Sequence, residues 1–104
     1  MFSLDALATI IAARAGADAD QSYTRSLLDK GAAACARKFG EEAVEFIVAA
    51  VGEDNSALRG EAADVLYHLL VTLQARGIAL ADVLAELERR TGRSGLEEKA
   101  SRPS

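Results

Sequence analysis

The only proline in the sequence is Pro103, so nothing ahead of the C-terminal tail forbids helix. Alanine and leucine dominate, alternating β-branched runs are absent, and the apolar residues follow no strand period. The chain therefore reads as all-α, a short bundle of about five helices. Capping residues and glycines mark the breaks. Ser3 is a good N-cap for a first helix from about Leu4 to Ala13. "AGADADQ", residues 15–21, is a loop. Ser22 can cap a short second helix, "YTRSLLDK", which Gly31 ends. A third helix runs from about Ala32 to Val51 and stops at Gly52. "EDNS", residues 53–56, offers N-caps for a fourth that reaches about Arg76, with Gly77 following. The last covers about Ala81 to Arg90, where Ala79 and Leu80 stand in place of a capping side chain. Residues 93–104 form a polar tail. One domain over 1–104 is the expectation.

Composition narrows the function classes. A net charge of −4, from 12 Lys+Arg against 16 Asp+Glu, argues against nucleic acid, which needs a basic footprint. No apolar run approaches the roughly 18 residues that span a membrane. No signal-peptide pattern opens the sequence. The single cysteine, Cys35, sits among alanines and reads as a small core residue in a reducing compartment. The cytoplasm is the expected location. After Ala43 the third helix is apolar nearly all round, with Val44, Phe46, Ile47, Val48, Ala50 and Val51. Such a helix needs neighbours on several sides, more than five short helices supply. A homodimer with the third and fourth helices in or near the interface is expected.

Against that apolar background, "FGEEAVEF", residues 39–46, crowds three carboxylates together. Glu42 and Glu45 are three apart and share a helix face. On the fourth helix, "GEAADVLYH", residues 60–68, sets Glu61 and Asp64 at the same spacing. The turn near 52–56 folds the two helices antiparallel, so the four carboxylates can meet at similar heights. Two like charges about 6 Å apart repel by about 3 kcal/mol at an effective dielectric of about 20. A hard divalent cation removes that cost. An all-carboxylate set without cysteine favours Mg²⁺, with Mn²⁺ possible, over Zn²⁺. A di-iron bundle needs Glu-x-x-His on two helices, and the only histidine, His68, lies four after Asp64. His68 is either a group behind the ligands or a plain packing residue. Tyr67 reads as a core aromatic with a tethered hydroxyl. Gly40 and Gly60, each costing about 1 kcal/mol in a helix, suggest close backbone approach near the site. The competing reading is a solvated acidic face on a non-catalytic helical interaction module.

"KFGEEAVE" followed by "GEAADVLYHLL" resembles phosphoribosyl-ATP pyrophosphatases, within the MazG-like all-α nucleoside triphosphate pyrophosphohydrolases. The group's E-x-x-E and E-x-x-D signature falls on Glu42, Glu45, Glu61 and Asp64. House-cleaning enzymes that hydrolyse dNTPs share that signature, and they are the alternative. "SYTRSLLDKG", residues 22–31, and "RSGLEEKASR", residues 93–102, resemble segments of the histidine-biosynthesis branch. The family also occurs fused to a cyclohydrolase domain; a stand-alone form is expected here.

The resemblance implies hydrolysis of 1-(5-phospho-β-D-ribosyl)-ATP between its α and β phosphates, the second step of histidine biosynthesis. Glu42, Glu45, Glu61 and Asp64 would then hold Mg²⁺. Glu41 would orient the attacking water, help hold a second ion, or remain a solvated charge. Lys38 would reach a phosphate or form an i, i+4 ion pair with Glu42. Lys30, Lys99 and Arg102 would contact substrate phosphates, and His68 would line the substrate site.

Overall fold

The computed structural model describes residues 1–18 and 22–92. Among them the chain forms five α-helices and no strand: α1 (Leu4–Arg14), α2 (Tyr23–Asp29), α3 (Ala32–Gly52), α4 (Asn55–Arg76) and α5 (Leu80–Thr91). The starts follow local chemistry. Ser3 Oγ accepts from the Ala6 N–H at 3.1 Å, Ser22 Oγ from Arg25 at 3.1 Å, and Asp54 Oδ1 from Ala57 at 2.8 Å. Each bond satisfies a donor that the first helical turn leaves unpaired. α5 starts without such a bond, as the sequence led us to expect at Ala79.

The stops are equally local. Gly77 takes φ +70°, its N–H reaches the Gln74 carbonyl at 3.1 Å, and the Ile78 N–H reaches Leu73 at 2.9 Å. That pair of bonds is a Schellman motif, which a left-handed glycine permits. α5 then leaves α4 at 112°. No single helix among the described residues is long and apolar enough to cross a membrane. In the last turns of α5, Arg89 grips both oxygens of Glu86 at 2.6 and 3.1 Å, and Arg90 adds a bond at 3.0 Å. These two guanidinium groups hold the Glu86 carboxyl down at about 2.

α3 and α4 pair along their lengths, and α1 and α2 cover one part of that hairpin. The core is Ile11, Leu27, Cys35, Leu70 and Val71, with Leu7, Leu28, Tyr67 and Leu80 packed against it. It joins α1 and α2 to the start of α3 and the later half of α4. Cys35 is a core residue as expected: its thiol donates to the Leu27 carbonyl at 3.3 Å, and burial pushes its pKa up.

One face of the later part of α3 is left open by the described residues. Val44, Ile47, Val48 and Val51 are 59, 58, 55 and 85% exposed, at i, i+3, i+4 and i+7. Leu66 and Leu69 of α4, and Leu84 and Leu87 of α5, are also exposed.

The expectation that Gly40 and Gly60 allow close backbone approach is corrected. A Cβ built on either meets nothing within 4 Å, so neither is required by a neighbour. Gly40→Ala and Gly60→Ala should each leave stability unchanged or raise it, by up to about 1 kcal/mol. Gly77→Ala should lower it by about 1–2 kcal/mol, because alanine is strained at its left-handed φ. Urea unfolding of the three variants checks the contrast.

Candidate metal centre

Two helical turns and one short connection build the site. The three-residue spacing on α3 puts Glu42 and Glu45 on one side of the helix. The chain reverses at Glu53–Asp54, and the first turns of α4 bring Glu61 back to them. One carboxylate oxygen from each of Glu42, Glu45 and Glu61 lies within 4.8 Å of the others. Glu42 is buried, Glu61 half-buried and Glu45 exposed, so the group runs from the hairpin interior to solvent.

Asp64 was expected as a fourth member, and its side chain lies outside this group, exposed on α4. It is three residues beyond Glu61, but its side chain is one methylene shorter. Its backbone is engaged as well. The Asp64 carbonyl accepts from His68 Nδ1 at 2.8 Å. A carbonyl only accepts, so Nδ1 carries a proton and Nε2 is the ring nitrogen left to face the site. His68 is 5% exposed, and its Nε2 has no hydrogen-bond partner. Glu61 Oε2 is likewise buried without a partner. Two buried polar atoms without partners beside a crowd of carboxylates are the pattern that a bound cation and its water satisfy. The donor set of carboxylate oxygens, with one imidazole behind them, fits a hard divalent ion.

The aromatic wall behind the carboxylates is tied down. Tyr67 sits edge-on to His68 at 4.9 Å between ring centroids, and Tyr23 of α2 stacks on Tyr67 at 6.3 Å. The Tyr67 hydroxyl meets Thr24 Oγ1 at 2.5 Å, and Thr24 is buried. Tyr67 is thus the tethered core aromatic that the sequence suggested.

Lys38 Nζ lies 3.2 Å from Glu42 Oε1 and 3.5 Å from Glu41 Oε2. The ion-pair reading of Lys38 is thus realised, and the Glu42 hydrogen bond holds its ammonium above the ordinary lysine value. Burial alone would raise the Glu42 carboxyl. The hydrogen bonds with Lys38 and Glu45, and the nearby charges of Lys38 and His68, outweigh it and leave Glu42 below its usual value. Glu45 moves the other way: its hydrogen bond with Glu42, and then the charges of Glu42 and Glu61, raise its pKa. Without a cation, Glu45 is the easier of the two to protonate.

Glu41 is exposed at the rim beside Lys38. Lys30, at the end of α2, is exposed and lines a cavity that it shares with Lys38 and Glu41. Lys99 and Arg102 lie outside the described residues. Sequence reasoning passed over Tyr23, Thr24 and Arg37. Tyr23 and Thr24 lie inside "SYTRSLLDKG", whose resemblance was noticed as a segment without roles for those two side chains.

Residues 4–91 match the phosphoribosyl-ATP pyrophosphohydrolase family. The chain belongs to that family. It is 64% identical over 102 residues to the phosphoribosyl-ATP pyrophosphatase of Dinoroseobacter shibae, covering 98% of this chain and 100% of that protein. The enzyme of the same name from Azorhizobium caulinodans is 64% identical, covering 92% of this chain and 88% of its own. That of Agrobacterium fabrum is 54% identical, covering 99% and 96%. The chain is therefore a hydrolase, and its carboxylate group sits in a pyrophosphohydrolase fold.

The opposed shifts of Glu42 and Glu45 give a pH dependence. Glu45, raised in the folded state, contributes stability at low pH that is lost as pH rises through its folded value. Glu42, depressed, contributes stability above its unfolded value that is lost as pH falls through its folded one. In chelator, Glu45→Gln should therefore raise the thermal midpoint at pH 7 and leave it nearly unchanged at pH 4. Melting curves at both pH values check this, and an equal shift at both would contradict the raised Glu45 value.

Proposed function

We propose that the chain hydrolyses 1-(5-phospho-β-D-ribosyl)-ATP between the α and β phosphates, with Mg²⁺ held by Glu42, Glu45 and Glu61. The products are the corresponding AMP derivative and pyrophosphate, the second step of histidine biosynthesis. One observation carries the reading: three carboxylates from two motifs meet within 4.8 Å in a member of this family. Asp64, one helical turn past Glu61 and exposed on α4, would complete the ligand set. Mn²⁺ satisfies the same oxygen donors.

When bound, Mg²⁺ neutralises the triphosphate and makes a water easier to deprotonate. The chain's own groups do the rest. Lys38 keeps Glu42 ionised and ready to ligate. Glu45, whose pKa its carboxylate neighbours raise, would ligate in its ionised form. His68, fixed by the Asp64 carbonyl, offers Nε2 to the inner side of the centre. Glu41 at the rim accepts the proton of the attacking water, and Lys30 and Lys38 offset phosphate charge as the anhydride breaks. Lys99 and Arg102 would reach the substrate from the tail, as the family resemblance implies.

The exposed stripe of Val44, Ile47, Val48 and Val51 supports a homodimer. A second copy covers it through a self-complementary contact that extends onto Leu66 and Leu69. The setting is cytoplasmic, and 1–104 acts as one domain.

The direct test is pyrophosphate release from phosphoribosyl-ATP, with Mg²⁺ and with chelator, beside dUTP, dCTP and ATP. Release confined to phosphoribosyl-ATP and lost in chelator is expected. Release from the dNTPs alone would make the chain a house-cleaning pyrophosphatase, and release from none would favour the interaction module. Glu42→Gln, Glu61→Gln and Asp64→Asn should each lower turnover by about 10²-fold or more while the fold is kept. Near-parental rates from the first two would remove the metal assignment. Ile47→Asp should convert the dimer to monomer in sedimentation, because an aspartate would have to be buried in the contact.

A further inference from the structure

Beside the carboxylates lies a cavity of about 300 Å³, lined by Tyr23, Lys30, Arg37, Lys38 and Glu41 over a floor that includes Leu27. Lys38 belongs to both places, since its Nζ is 3.2 Å from Glu42 Oε1. Some cations elsewhere in the fold carry a matched carboxylate. Arg25 is matched with Asp29 at 2.9 Å, and Arg89 and Arg90 are matched with Glu86. Lys30 and Arg37 have no side-chain ion pair or hydrogen bond among the described residues. In a chain of net charge −4, two cations from different helices face one cavity without a carboxylate partner of their own. Glu41 is the only acidic side chain in the lining, and Lys38 engages it at 3.5 Å.

We infer that this cavity is the subsite for the pyrophosphoryl end of the substrate, with Arg37 and Lys30 as its principal ligands. The inference rests on the phosphoric-anhydride hydrolysis proposed above. A guanidinium fork matches two phosphate oxygens, and an ammonium adds a mobile point charge. Tyr23 brings a hydroxyl, and its ring is steadied by stacking on Tyr67. Position decides which phosphates belong here. The substrate has two anionic ends: the β and γ phosphates, and the ribose 5′-phosphate beyond the base. Lys38 joins the cavity directly to a metal-ligating carboxylate, so its occupant lies next to the bond that breaks. The β and γ phosphates meet that condition, and the distal 5′-phosphate does not. As the α–β anhydride breaks, water oxygen bonds to the α phosphorus and the electron pair of the bridging oxygen leaves with pyrophosphate. Arg37 and Lys30 stabilise the charge that develops there.

The test is calorimetric titration of the full chain in Mg²⁺ with pyrophosphate and, separately, with ribose 5-phosphate. Arg37→Ala and Lys30→Ala are compared with Arg76→Ala, an exposed cation in the last turn of α4 that costs the same charge. Expected is a loss of pyrophosphate affinity of about tenfold or more in Arg37→Ala and Lys30→Ala, with ribose 5-phosphate binding unmoved and Arg76→Ala like the parent. A selective loss of ribose 5-phosphate binding would overturn the inference and give the cavity to the distal phosphate. Equal losses in all three variants, no loss in any, or no pyrophosphate binding by the parent would overturn it too. Hydrolysis of phosphoribosyl-ATP by the parent is followed separately through the nucleotide product. A chain that loses pyrophosphate binding in the two cavity variants but never hydrolyses the substrate keeps the subsite and loses the proposed reaction.

Discussion

The pairing of α3 with α4 is the constraint on which the rest depends. It forces Glu42, Glu45 and Glu61 within 4.8 Å of one another, an arrangement that three free carboxylates would avoid. The hairpin can hold them because its other contacts are cheap to make. Ala49, buried at 1% exposure, adds a small apolar contact to the α3 side of the hairpin. The strain of the crowd is visible in the site's own chemistry: Glu42 ionises more easily beside Lys38, and Glu45 less easily beside Glu42 and Glu61. A fold that stores repulsion in this way gains most in stability from a bound cation.

Polar groups behind the carboxylates are fixed before any ligand arrives. The Asp64 carbonyl holds His68 at Nδ1, Tyr67 meets the ring edge-on, and Thr24 anchors the Tyr67 hydroxyl from α2. These contacts explain why so short a helix as α2 matters to the site. It supplies the wall behind His68 and, through Tyr23 and Lys30, a side of the basic cavity. The acidic centre and the basic cavity meet at Lys38. A metal–triphosphate complex presents the complementary pair of charges, cation to the carboxylates and phosphate oxygens to Arg37 and Lys30.

The hydrophobic core is small and lies where α1 and α2 meet the hairpin. The exposed stripe from Val44 to Val51 follows from this placement, since the described residues leave that side of α3 uncovered. Chain length limits how much apolar surface five helices can cover, and association is the usual remedy for a domain of this size.

By itself the sequence determined most of the helices and the identity of the acidic motifs. Ser3, Ser22, Asp54 and Gly77 act through bonds that span only a few residues, so their effect can be read locally. The i, i+3 spacing of Glu42 and Glu45 is likewise a property of one helix. Tertiary structure alone decided which carboxylates meet. Asp64 shares the spacing of Glu61 yet stays outside the group, because convergence depends on side-chain length and on how α4 is rotated against α3. It also decided that Gly40 and Gly60 face open space, and that Arg37 joins Lys30 across two helices. Such facts depend on distances between segments, which no local pattern of residues encodes.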